Sequence, residues 1–202
     1  MTFTVEEQQR VNAAIAEAEK TTDGEIVCVL ARASSDYLAY AVAWAALTAL
    51  AVPWPLLAFT QLSVQQILLA QIVVFAGLYL ALSRSGVGCR LVPKPVRLEH
   101  AHRAALEQFV TRGLARRRNH AAVLIFVSLA EHYVRVVADD GVAVKVDKRV
   151  WQGAVDALLA AIKSGDLAGG YVEAVKRCGV VLAEHFPAGS GGAELPDKIY
   201  VI

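Results

Sequence analysis

From Tyr37 through Ser83 the chain has no Asp, Glu, Lys or Arg, a run of 47 residues. Uncharged stretches of that length do not form ordinary surface helices and loops. Cysteine is also scarce. Cys28, Cys89 and Cys178 are three in number and far apart, and no C-x-x-C or Cys/His spacing occurs. That fits structural thiols in a reducing compartment better than a disulfide framework or a zinc site. There is no G-x-S-x-G elbow, so Ser128 has no nucleophile's setting. Gly86-Val87-Gly88 lacks the Gly-Lys-Ser/Thr of a phosphate loop. The acidic, polar opening MTFTVEEQQR has none of the character of a signal peptide.

What is present is unevenly placed. The 202 residues hold 20 basic and 19 acidic side chains, 56% apolar residues and a mean hydropathy of +0.45. A soluble domain is usually about 45–50% apolar. Residues 1–36 carry 3 basic and 7 acidic side chains, residues 84–120 carry 9 and 2, and residues 121–202 carry 8 and 10. Only the segment after the uncharged run is strongly basic.

The uncharged run divides into two apolar stretches, Tyr37 to Pro53 and Ile67 to Ser83. Each is near the lower length limit, about 17 residues, of a membrane-spanning helix. Pro53-Trp54-Pro55 and the polar TQLSVQQ between them predict a turn region, with a kinked extension of the first helix past Pro53 as the variant. Tyr37, Tyr40, Trp54 and Phe59 stand where interfacial aromatics belong. The competing explanation, a buried hairpin in a soluble core, requires a polar face at helical spacing. The first stretch has only Thr48 and tyrosine hydroxyls for one. The basic residues follow the second stretch, and positive charge stays cytoplasmic. The expectation is two spans in the inner (plasma) membrane with both termini in the cytoplasm.

The flanks read as one α/β layer domain. Thr4 and Glu7 have capping-box spacing for a helix with Val11, Ala14, Ile15 and Ala18 on one stripe. EIVCVLA, Glu25 to Ala31, predicts a strand covered on both faces. After the hairpin, residues 95–117 predict a basic amphipathic helix with Val96, Ala104, Leu106, Phe109, Val110 and Leu114 on its apolar side. Residues 121–129 and 132–138 predict two strands joined tightly at Ala130-Glu131. Asp147 and Asp166 are N-cap candidates for two closing helices. The first has Val150, Trp151, Ala154, Val155, Leu158, Leu159 and Ile162 on one side and stops at Gly165. The second has Tyr171, Ala174, Val175, Cys178, Val181 and Leu182 inward and stops at His185-Phe186-Pro187. A flexible AGSGGA linker precedes a tail, ELPDKIYVI, that docks back. Neither flank alone makes a core, so the two combine, with a parallel crossover that detours through the membrane.

TTDGEIVCVL after a capped helix, NHAAVLIFVSLAEHYVRVVADDGVAVKV and DLAGGYVEAVKRCGVVLAEHF together resemble the TPM-domain (TPM phosphatase-like) family, and in particular its bacterial integral-membrane subgroup. Asn119 keeps half of the family's Asn-Gly pair, since His120 follows it. The resemblance implies helices packed on a small mixed sheet, here interrupted by the two-helix transmembrane hairpin. The domain would comprise residues 1–36 and 96–186, the hairpin 37–83, a basic juxtamembrane linker 84–95 and a tail 187–202. The absence of a convincing nucleophile or acid-base pair favours a non-enzymatic role facing the cytoplasm, binding a partner or a divalent metal; the metal binding and phosphatase activity linked to the family imply, as the alternative, a metal-dependent phosphatase acting through the Asp139/Asp140 turn.

Asp139-Asp140-Gly141 at the end of the third strand is the candidate for Ca²⁺ or Mg²⁺, which want several oxygens. Asp23 and Glu25 join it if the strand ends meet. The competing explanation is a solvated turn, where Asp and Gly are favoured for backbone reasons. His100 and His102 are two apart and do not share a helix face, so they do not chelate one ion. His132 beside Glu131 reads as a hairpin turn. Arg84, Arg90, Lys94, Arg116, Arg117 and Arg118 are assigned to the lipid surface, since juxtamembrane basic clusters attract anionic headgroups. A membrane-protein partner suits the same arrangement, and nucleic acid is disfavoured.

Overall fold

The computed structural model describes residues 3–35, 37–84, 91–116, 120–189 and 198–202, apart from the side chains of Arg116 and Lys148. The chain divides into two compact units, Met1–Ser34 with Leu98–Ile202, and Ser35–Arg97.

The first unit is mixed α/β. Its sheet has four strands, β1 (Glu25–Ala31), β2 (Ala122–Ser128), β3 (Tyr133–Ala138) and β4 (Ile199–Val201), in the order β3-β2-β1-β4. β1 and β2 are parallel, with Glu25 opposite Ala122 and Ala31 opposite Ser128. The β2–β3 hairpin is antiparallel, and the tail returns as β4, parallel to β1. Every residue of β1 and β2 is buried. That is why both read as unbroken apolar runs rather than alternating ones.

Alternate residues of these strands serve two cores. Ile26, Cys28, Leu30, Val123, Ile125 and Val127 pack with α1 (Val5–Glu19), α7 (Gln152–Ser164) and α8 (Leu167–His185). Val27, Val29, Ala31, Ala122, Leu124 and Phe126 pack with the part of α5 (Lys94–Thr111) from Leu98 onward and with Leu114. The capping box of α1 forms as its spacing requires, with Thr4 Oγ1 accepting from Glu7 N and Glu7 accepting from Thr4 N. Asp166 caps α8 through Gly169 N at 3.0 Å. Gly165 ends α7 with φ 84°, a conformation that favours glycine. The tail is fixed from the side as well: Ile199 N donates to Asn12 Oδ1 on α1 at 2.8 Å.

Three details depart from the sequence expectation. α5 buries Ala101, Ala105 and Phe109, the last two in the sheet core, and leaves Leu106 and Val110 outside. Bulk alone was therefore the wrong guide to its inner face. α5 also begins at Lys94, inside the stretch read as linker. Asp147 caps a single 3-10 turn, Lys148–Trp151, which leads into α7 and leaves Val150 exposed while Trp151 is buried.

The second unit is helical. α2 (Leu38–Ala51) and α3 (Pro53–Phe59) run on as one 22-residue stretch, and α4 (Val64–Arg84) has 21 residues. Both are long and apolar enough to cross a membrane. Pro53 and Pro55 lie within α3 rather than in a turn. Proline is tolerated in the first helical turn, where its missing N–H has no partner to lose. The buried side chains of α2 are Ala41, Ala45 and Ala49, one per turn.

The cores hold three groups whose ionisation opposes folding. Burial pushes the Cys178 thiol from its ordinary 9.0 up to about 12. Burial, then Cys178 and Glu19, raise Cys28 well above the same value. Burial, then Cys28, raise Tyr171, whose hydroxyl donates to Val29 O at 2.7 Å. A raised pKa means that the folded state holds its proton more tightly than the unfolded chain. The stability this brings is whole below the unfolded value and is lost as pH climbs towards the folded one. A urea titration should therefore show stability falling from about pH 9 upward, by up to about 1.4 kcal/mol per pH unit for each thiol. Cys28→Ala/Cys178→Ala should flatten that slope.

Candidate functional site

The hydrogen-bonded register brings the acidic candidates to one edge of the sheet. Glu25 N donates to Ala121 O at 3.0 Å, and Asp139 N donates to Ala122 O at 2.9 Å. The starts of β1 and β2 and the end of β3 thus lie side by side, with Asp23, Glu25, His120, Asp139 and Asp140 along them. β2 stands between β1 and β3, which separates the two acidic pairs by about 10 Å of backbone. Among the described residues no three His, Cys, Asp or Glu side chains come together in a group that could hold a metal ion.

Each acid has local work. Asp23 fastens the end of α8: its N donates to Phe186 O at 3.0 Å and its Oδ1 accepts from Gly189 N at 2.9 Å. Glu25 is buried at the start of β1. Asp139 is 5% exposed and serves as the N-cap of α6 (Asp140–Lys145), accepting from Asp140 N at 2.8 Å. Its other oxygen lies 3.3 Å from His120 Nδ1. Asp140 is exposed in the first helical turn, where the helix dipole favours an acid. The Asp-Asp-Gly stretch is therefore a strand-to-helix junction and not a simple turn.

His120 is the residue of this edge that the sequence did not single out. Its backbone is left-handed, with φ 46°. A Cβ on Gly141 would sit 2.4 Å from the His120 carbonyl oxygen. The loop before β2 and the start of α6 therefore touch backbone to backbone, and only glycine fits at 141. The histidine following Asn119, before an apolar strand, was the one available signal.

The opposite edge holds a second polar cluster. The Glu131 carboxylate takes a proton donor from each side: the buried Ser128 hydroxyl, and Ser34 N at 2.9 Å. Ser128 is thus a strut between strand and hairpin. His132 sits in the hairpin turn with φ 50°, and His102 lies 2.6 Å from Arg135 Nη1.

Of the basic candidates, Arg84 is exposed at the end of α4 and Lys94 is exposed at the start of α5. Arg90, Arg117 and Arg118 lie outside the described residues, as does the Arg116 side chain. The Arg112 guanidinium carbon lies over the Tyr200 ring, 3.6 Å from its centroid. Burial lowers the Arg112 pKa, and Tyr200 opposes that shift.

No family model matches the chain, and no curated protein matches it. Among solved structures, the NMR structure of the BA42 protein from the psychrophilic bacterium Bizionia argentinensis sp. nov. is similar. The TM-score is 0.61 at 18% identity, covering 100% of this chain and 96% of that one. The likeness shows a shared fold.

Asp139→Ala should cost about 1 kcal/mol, the usual worth of an N-cap, and leave the chain folded. Glu131→Ala strands the buried Ser128 hydroxyl and should cost more, about 1–3 kcal/mol. Urea melts of the two variants beside wild type check the order.

Proposed function

We propose that the chain is a membrane-anchored α/β domain of the TPM type. It works on the cytoplasmic face of a bacterial inner membrane by binding a partner or a divalent cation, without catalysis. The observation that carries this reading is the exposure of its most apolar helices. Within their apolar windows only 11% of Leu38–Phe59 and 6% of Val64–Arg84 is buried. A core helix of a soluble protein has its apolar side chains covered. Here Trp44, Leu47, Leu50, Leu69, Ile72 and Val73 are exposed. At about 1.5 Å per residue both helices match a hydrocarbon layer about 30 Å thick.

Trp54 and Phe59 suit one interface, and Arg84 with Lys94 suits the cytoplasmic one, where anionic headgroups attract each charge by about 1 kcal/mol. Family membership rests on the three stretches quoted above, which form the α1–β1, β2–β3–α6 and α8 segments. The acidic edge gives cation binding little support, because Asp23 is committed to the α8 terminus and Asp139 to the α6 cap and His120. Partner binding is therefore the stronger half of the proposal.

In a membrane preparation, the full chain should stay in the pellet after alkaline carbonate. Release without detergent would reject the anchor. In a Cys89→Ser background, Ser63→Cys should react with an impermeant maleimide added to intact cells, and Lys176→Cys should not. The reverse pattern would put the domain on the outer side. Calorimetric titration of Ca²⁺ and Mg²⁺ into the detergent-purified chain tests the cation. Heat that vanishes in Asp139→Ala/Asp140→Ala supports it, and no heat in wild type leaves partner binding alone.

A further inference from the structure

α5 crosses the width of the sheet. Arg135, Phe126, Val29 and Tyr200 are register partners, one from each strand in the order β3-β2-β1-β4. Near its middle α5 touches the first of them, with His102 Nδ1 2.6 Å from Arg135 Nη1. Directly after its last residue, Arg112 lies over the fourth, Tyr200. Ten helical residues rise about 15 Å, and three strand spacings make about 14 Å. One row of the sheet thus fixes the place of Arg112. Gly113 follows it with φ 72°, the left-handed conformation in which glycine ends a helix.

Arg112 shares the Tyr200 ring with a second cation. Its guanidinium carbon is 3.6 Å from the ring centroid, and Lys198 Nζ is 5.1 Å from the same point. The ring attracts each cation, while the two cations repel each other. Among the described residues no carboxylate pairs with either. Lys20, Arg103, Arg149 and Arg177, by contrast, each have a carboxylate within reach. Arg112 Nε is also buried and donates to no acceptor among those residues. Buried donors in folded proteins nearly all have one. Two like charges and an unpaired buried donor at a single ring suit an anion.

We propose that Arg112 and Lys198, gathered on Tyr200, bind a phosphate group. A guanidinium is a planar fork that takes two oxygens, and an ammonium is a point charge that takes another. A carboxylate has only two oxygens, which the fork alone would fill. A phosphate monoester offers three, enough for both cations. Its negative charge also removes their repulsion. The site shares no residue with the acidic edge, and it rests neither on cation binding nor on the membrane anchor.

The test is calorimetric titration of glycerol 3-phosphate into the full-length chain in neutral detergent. Wild type should bind at one site. Arg112→Gln and Lys198→Gln should each raise the dissociation constant about tenfold or more, the worth of one charge-assisted hydrogen bond. Tyr200→Phe, which keeps the ring, and Lys163→Gln, on the exposed side of α7, should leave it unchanged. Lys198 is exposed, so Lys198→Gln keeps the fold and decides the matter even if Arg112→Gln melts early. Repeating the titration in micelles doped with phosphatidic acid identifies the source of the phosphate. Heat that disappears there, but not in micelles doped with phosphatidylcholine, assigns the site to a lipid headgroup; heat that persists assigns it to a soluble ester. No heat from wild type in neutral detergent would overturn the proposal. So would binding that both glutamine variants leave intact, or that Lys163→Gln weakens equally, because the phosphate would then answer to another site or to net charge.

Discussion

The fold depends on the pairing of β1 with β2. Both strands are buried on both faces, so neither has a stable existence outside the sheet. Yet the 90 residues from 32 to 121 separate them in the chain. Closing that loop is less costly than its length suggests. The entropy of closure grows only as the logarithm of length, about 0.6 kcal/mol for each doubling. Much of the insertion is also helical hairpin and α5, whose own folding shortens the effective loop. Seven consecutive register pairs between two apolar strands outweigh such a term.

The polar residues at the two edges follow from this pairing. Parallel strands put their starts together at one edge and their ends at the other. At the starting edge the chain joins strands to helices, so Asp23 and Asp139 secure helix ends there. At the finishing edge the chain leaves β1 for the second unit, and Glu131 ties that exit to the β2–β3 hairpin. Carboxylates used this way look like a metal cluster in sequence, because the residue types are the same. Their spacing across β2 is what sets them apart.

β1 and β2 were legible because fully buried strands have an unmistakable composition, and β3 because it follows β2 through a tight hairpin; β4 was read only as a tail that docks back. Glu25–Ala31 emerged with the expected bounds. The caps at Thr4, Asp166 and Gly165 were legible for a local reason, since each is a contact within a few residues. The inner face of α5 was not. Its choice between Ala105 and Leu106 is set by how the helix is rotated against β1 and β2, which no local pattern encodes. α6 was missed because six residues are too short for a helical period to show. The pairing of His120 with Asp139 depends on a left-handed residue and a contact across the sheet edge. Of the candidate site, the residue types were readable in advance and their separation was not.

The central position of β1 has a further consequence in time. Ribosomes add roughly 5–20 residues per second. β1 is complete 91 residues before β2 begins, so it waits roughly 5–20 s for its first partner and longer for β4. During that interval a seven-residue apolar strand has two open edges, the arrangement most prone to wrong pairing. The apolar hairpin emerges within the same interval, directly behind it. Under the membrane-anchor proposal, the order of synthesis asks the cell to insert the hairpin first and close the sheet second, and any delay in the first step prolongs the exposure of β1.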